Sequence, residues 1–117
     1  MSNIDERKER YMRDPLAIRL GGIAANLARV SSISNNPLNL NVAFGLMEES
    51  KHFIEWTAAE SQIETAAELA RLQIKLALWQ RTLADDWVQD EKRLAIGREA
   101  KIISNSVLQC SGLLDRK

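Results

Sequence analysis

Apolar residues recur along this chain at the spacing of α-helices, and two prolines and one glycine mark where the helices begin and end. Leu16, Leu20, Ile23, Leu27 and Val30 follow one another at alternating steps of four and three, which gathers them on one face of a predicted helix. Asp14-Pro15 precedes this stripe and Asn36-Pro37 follows it. Each pair places a capping side chain before a ring already set for the first helical position. The neighbouring face of the first predicted helix is small (Ala17, Gly21, Ala24, Ala25, Ala28, Ser32), which lets another backbone come close and offsets the helix-weakening pair Gly21-Gly22.

A second helix is predicted from Pro37 to about Trp56, with Leu38, Val42, Gly45, Leu46, Phe53 and Trp56 turned inward. Thr57-Ala58-Ala59-Glu60 then matches a capping box, which predicts a corner and a third helix running to about Trp87. Leu69, Leu72, Leu76, Trp79, Leu83 and Trp87 form the main stripe of that helix. A fourth helix, capped by Asp90 and stopped by Gly112, carries Ile96, Ala100, Ile103, Val107 and Cys110 inward. Leu20, Leu27, Leu46, Phe53, Leu72, Leu76, Trp79, Ile103 and Val107 are expected to share one core. The reading is an all-α, antiparallel bundle of about four helices. Residues 1–13 form a charged N-terminal arm, and residues 14–117 form a single domain.

Two helices carry more apolar surface than one core needs. On the third, Ile63, Ala67, Ala70, Ile74 and Leu78 lie roughly opposite the main stripe, at about 100° per residue. On the second, Leu40, Ala43, Met47 and Ile54 fall away from the predicted inner face. Surplus apolar faces imply a central helix or a subunit interface, and four helices are too few to surround a central one. Ile63, Ala67, Ala70, Ile74, Leu78, Met47 and Ile54 are therefore candidate interface residues.

Composition narrows the partners. Of 117 residues, 16 are Lys or Arg and 16 are Asp or Glu, so no net field gathers nucleic acid or an anionic membrane surface. Met1 to Asp14 is charged throughout, unlike a secretory leader, and no apolar run nears the ~20 residues of a membrane span. The single cysteine, Cys110, rules out an internal disulfide and suits a reducing compartment. A cytoplasmic protein is expected, without nucleic-acid or membrane partners.

Candidate chemistry is sparse. His52 is the sole histidine, and Glu49 and His52 have the Glu-x-x-His spacing of di-iron bundles. Such a site needs a second copy of the motif, which one histidine cannot supply, so no metal or other cofactor is expected. A histidine phosphotransfer domain also uses one exposed histidine, followed within a turn by lysine and glycine; here Phe53-Ile54-Glu55-Trp56 follows. Glu49 falls within the predicted inner stripe, where a carboxylate needs a partner. Either it pairs with an arginine such as Arg19 or sits at the rim, or Glu49, His52 and Arg19 line a polar pocket. Trp56, Trp79 and Trp87 read as packing at helix ends and along the stripe.

The run Asp14-Pro15-Leu16-Ala17-Ile18-Arg19-Leu20-Gly21-Gly22, the segment Ala24-Ala25-Asn26-Leu27-Ala28-Arg29-Val30 and the stretch from Glu48 to Trp56 resemble small, uncharacterised all-helical proteins of cyanobacteria. The resemblance covers most of the chain after the arm. It implies a cytoplasmic, all-helical protein and carries over no site residues. Sequence therefore points to a non-enzymatic interaction or regulatory protein acting as a homo-oligomer, most simply a homodimer. The alternatives are a ligand-binding or enzymatic bundle with a pocket near Glu49, or a phosphotransfer-like protein using His52.

Overall fold

The computed structural model describes residues 3–112, and every regular element among them is helical. Five α-helices follow in order: α1 (Asn3–Met12), α2 (Leu16–Ile33), α3 (Leu40–Thr57), α4 (Ile63–Trp87) and α5 (Asp90–Ser111). Short 3-10 turns span Pro37–Asn39 and Ala58–Glu60. The four predicted helices correspond to α2–α5, and the charged N-terminal segment adds α1. Residues 1–2 of the expected arm and 113–117 of the expected domain lie outside the described residues. Among the described residues no helix is long and apolar enough to cross a membrane.

The punctuation acts largely as the residues predict. The Asn36 side chain accepts from Leu38 N at 2.9 Å and caps the turn that leads into α3. Gly112 ends α5 with φ of 77°, a left-handed conformation open to glycine without strain. At the other proline the cap shifts by one residue. Pro15 itself precedes α2, and the Asp14 carbonyl turns to Arg19 instead. At α5, Gln89 holds the cap position, while the Asp90 carboxylate accepts from Arg93.

The capping box expected at Thr57 does not form. Thr57 closes α3 and is buried, with its hydroxyl donating to Tyr11 Oη at 3.2 Å. Glu60 reaches Arg19 instead, and α4 begins at Ile63 behind Gln62.

The closest seam joins α2 to α5. Ser104 Oγ donates to Ala24 O across it at 2.7 Å. At Gly97 an added Cβ would lie 2.1 Å from Ser34 Oγ and 2.7 Å from Ser34 Cβ, so the two helices touch through a position that has no side chain. Of the predicted small face of α2, Ala24 lies buried at this seam, whereas Ala25 and Ser32 are exposed. Residues 97 and 104 meet 34 and 24, so α2 and α5 run in opposite directions. Asn26 reaches Glu49 from α2 to α3, Lys51 reaches Gln80 from α3 to α4, and Lys75 reaches Glu99 from α4 to α5.

Enclosed by these helices is one continuous core, including Ile23 and Leu27 of α2, Met47 and Ile54 of α3, Leu72, Leu76 and Trp87 of α4, and Ala100 and Val107 of α5. Of the expected core set, Phe53 and Ile103 pack at its margin, partly buried, and the other seven are buried.

Helix α3 is rotated from its predicted orientation. Leu38 is 88% exposed, and Val42 and Gly45 also face out. The inner stripe is Ala43, Met47, Ser50, Ile54 and Thr57, again at alternating steps of four and three. Its pattern is masked in the sequence because two of the five residues are hydroxylic. Ser50 Oγ donates to Leu46 O of its own helix at 2.8 Å, so its polar atom is satisfied and the small side chain behaves as core. Met47 and Ile54 are therefore core residues, not interface residues, with 0% and 3% of their surface exposed. Cys110 is likewise corrected to exposed. The buried stripe of α5 advances through Ile96, Ala100, Ser104 and Val107, which leaves position 110 on its flank.

Two stability measurements follow. Leu76 is fully buried, so Leu76→Ala is expected to cost ~2–5 kcal/mol in a denaturant melt, the transfer loss plus the cavity left behind. Gly97→Ala should cost about 1–3 kcal/mol by overpacking. Adding Ser34→Gly should recover part of that loss, because it removes the atoms in the way.

Candidate functional site

Two buried arginines organise the polar parts of the molecule. Arg19, near the start of α2, donates from Nε to Asp14 O at 3.0 Å and from Nη1 to Met12 Sδ at 3.4 Å. Its Nη1 and Nη2 also grip both oxygens of Glu60, at 3.2 and 2.8 Å. This fork, through its hydrogen bond and its charge, holds the Glu60 carboxyl below the usual carboxylate range. Arg93 donates from Nε to Ser34 O at 2.8 Å and from Nη1 to Trp87 O at 3.1 Å, and from Nη2 it reaches Asp90. Each guanidinium therefore answers at least one backbone carbonyl oxygen left open at or just past a helix end.

Tyr11 joins α1 to this framework. Its ring stacks on Phe53 with centroids 3.9 Å apart and planes 5° apart, beside Gly22. The hydroxyl donates to Arg19 O at 2.7 Å and accepts from Thr57. Burial pushes the phenol up from its ordinary 10.0 to about 12, against the opposing pull of the Thr57 bond and the Arg19 charge.

Glu49 does find partners, but not Arg19. Its carboxylate pairs with Arg7 of α1 and accepts from Asn26 Nδ2 at 3.0 Å. Because α2 and α3 run in opposite directions, Arg19 lies level with Glu60, and Glu49 lies level with Asn26, seven residues or roughly 10 Å further along α2. A cavity of about 280 Å³ opens beside Glu49, lined by Arg7, Arg10, Tyr11, Asp14 and Phe53. Of the three residues expected there, Glu49 alone lines it.

His52 turns elsewhere, stacking on Trp56 at 5.6 Å, with Nε2 3.6 Å from Glu48 Oε2. Hydrogen bonding from Gln80, helped by Lys51 and His52, keeps Glu48 below the usual carboxylate range. Glu49 and His52 do not converge on a common point. Among the described residues no group of three or more His, Cys, Asp or Glu is placed to hold a metal ion.

The outward face of α4 is as the spacing predicts. Ile63 is 81% exposed, Ile74 62% and Leu78 52%, and Ala67 and Ala70 between them are exposed too. A separate groove of about 460 Å³ runs beside the α2–α5 seam, lined by Ser31, Ser34, Leu94, Arg98, Lys101 and Ile102. Sequence reasoning missed it. The available signal was Leu94 and Ile102, apolar residues off the inner stripe of α5.

An all-helical protein with an exposed apolar face on its longest helix is the class that fold and surface define. No protein-family model, curated protein or solved structure matches the chain.

Tyr11 is the only tyrosine, so its ionisation can be read directly from tyrosinate absorbance. The folded chain should titrate near 12 and the urea-unfolded chain near 10.0. With the folded value raised, the stability that Tyr11 contributes is fully present below pH 10 and is lost as pH rises from there towards 12. A folded-state midpoint at 10 would show that the ring stands in water and that α1 is undocked.

Proposed function

We propose that this chain is a non-enzymatic protein–protein interaction or regulatory protein that acts as a homodimer through the outward face of α4. Its finer architecture is an antiparallel bundle of the four longer helices, carrying α1 as a charged arm, and its compartment is the cytoplasm. The observation that carries the reading is the row Ile63, Ala67, Ala70, Ile74 and Leu78, exposed on the side of α4 away from its buried stripe. Soluble monomers usually avoid so continuous an apolar patch. At ~25 cal/mol per Å² of apolar surface, covering an isoleucine and a leucine from each of two subunits gains several kcal/mol before the entropy of association is subtracted.

Replacing Ile74 and Leu78 together with glutamate tests this. Both side chains point away from the core, so helix content by circular dichroism should stay near that of the native chain. Analytical ultracentrifugation should show a shift from dimer to monomer. A native chain that sediments as a monomer at micromolar concentration would remove the reading.

A further inference from the structure

The first four residues of the exposed row on α4 read the same in both directions. Ile63 is followed four residues on by Ala67, three on by Ala70 and four on by Ile74. Such a row can meet a second copy in parallel, each residue on its own counterpart, or antiparallel, where a twofold axis across the helices makes residue i meet j and j meet i. A palindromic row keeps isoleucine against isoleucine and alanine against alanine in the antiparallel case too. From this palindrome, and resting on the homodimer reading above, we infer that two chains pair α4 against α4 in antiparallel fashion about an axis passing between residues 68 and 69. Ile63 then meets the partner's Ile74, and Ala67 meets the partner's Ala70. Two alanines at the crossing let the helix axes come close, and an isoleucine at each end fills the space where they diverge.

Charge supports the same register. Glu64 stands in the first turn of α4, exposed, with no hydrogen bond or ion pair among the described residues. Arg71 lies on the same flank of the row and is 68% exposed, with only its Nη2 engaged, by Glu68 Oε2 at 2.6 Å. A guanidinium has five N–H donors, so most of its fork is free. The antiparallel register places Glu64 beside the partner's Arg71 on the flank of the apolar seam, twice by symmetry. A parallel pair gives Glu64 no cation across the seam. None of these residues belongs to the buried stripe of α4, which runs through Leu69, Leu72 and Leu76.

The test is a charge exchange read by sedimentation equilibrium, with circular dichroism confirming the fold of each variant. Glu64→Arg should weaken the dimer by roughly tenfold or more, because two attractions become two repulsions. Glu64→Gln should fall between that variant and the native chain. Combining Glu64→Arg with Arg71→Glu should bring the dissociation constant back to within about threefold of native, since the pair is restored with its signs reversed. If the native chain dimerises but Glu64→Arg leaves its affinity unchanged, or if the double exchange fails to recover it, this register is wrong while the dimer stands. A monomeric native chain overturns both.

Discussion

Arg93 is a charged side chain with only 4% of its surface in contact with water, and it stays there because two helices end beside it. The Ser34 carbonyl falls just past the end of α2 and the Trp87 carbonyl in the last residue of α4, where no further turn of helix exists to accept from. An unpaired buried carbonyl is costly, and so is a buried cation, but together each removes the penalty of the other. One guanidinium fixes where α2 stops, where α4 stops and where α5 begins. One turn later Gly97 settles against Ser34, and the tightest seam in the molecule follows from that placement. Arg19 does comparable work at the opposite end, binding the Asp14 carbonyl beyond α1 and the Glu60 carboxylate in the turn before α4.

Much of the fold was legible because its signals are local. The stripe from Leu16 to Val30, the Asn36 cap and the left-handed Gly112 depend on neighbours within one or two turns. The phase of helix α3 is hidden in the sequence because two residues of its inner stripe carry hydroxyl groups. Ser50 and Thr57 complete an inner stripe only once their polar atoms have found Leu46 O and Tyr11 Oη, and the second of these partners lies 46 residues away. The capping box failed for a related reason. A local motif offered Glu60 a backbone N–H, whereas tertiary structure offered it a two-pronged guanidinium, which is the stronger bond.

The candidate surfaces divide along the same line. The outer row of α4 could be read directly, because a helix with two apolar sides shows both in its period. Met47 and Ile54 fall on the opposite side of α3 from the one expected, as do Val42 and Gly45, while Leu46 is buried as expected. Glu49 was rightly singled out as a carboxylate needing partners, yet the partners came from α1, a segment too polar to announce any packing role, and from an asparagine. Arg93 was within reach, since it continues the spacing of Ile96, Ala100 and Val107 backwards by one turn. An arginine is seldom counted as part of a buried stripe.

Helix α1 has ten residues, and none of them is fully buried. Isolated helices shorter than ~12–15 residues are marginal in water, so its helicity is borrowed from the Tyr11 stack at one end and the Glu49 pairing one turn earlier. Its backbone amides need only let go of that anchor to exchange their hydrogens with solvent, whereas amides beside Ile23, Leu27 and Leu76 must wait for the core to open. The chain should thus keep two clocks: a fast one for its first turns and a slow one for everything packed around Arg93.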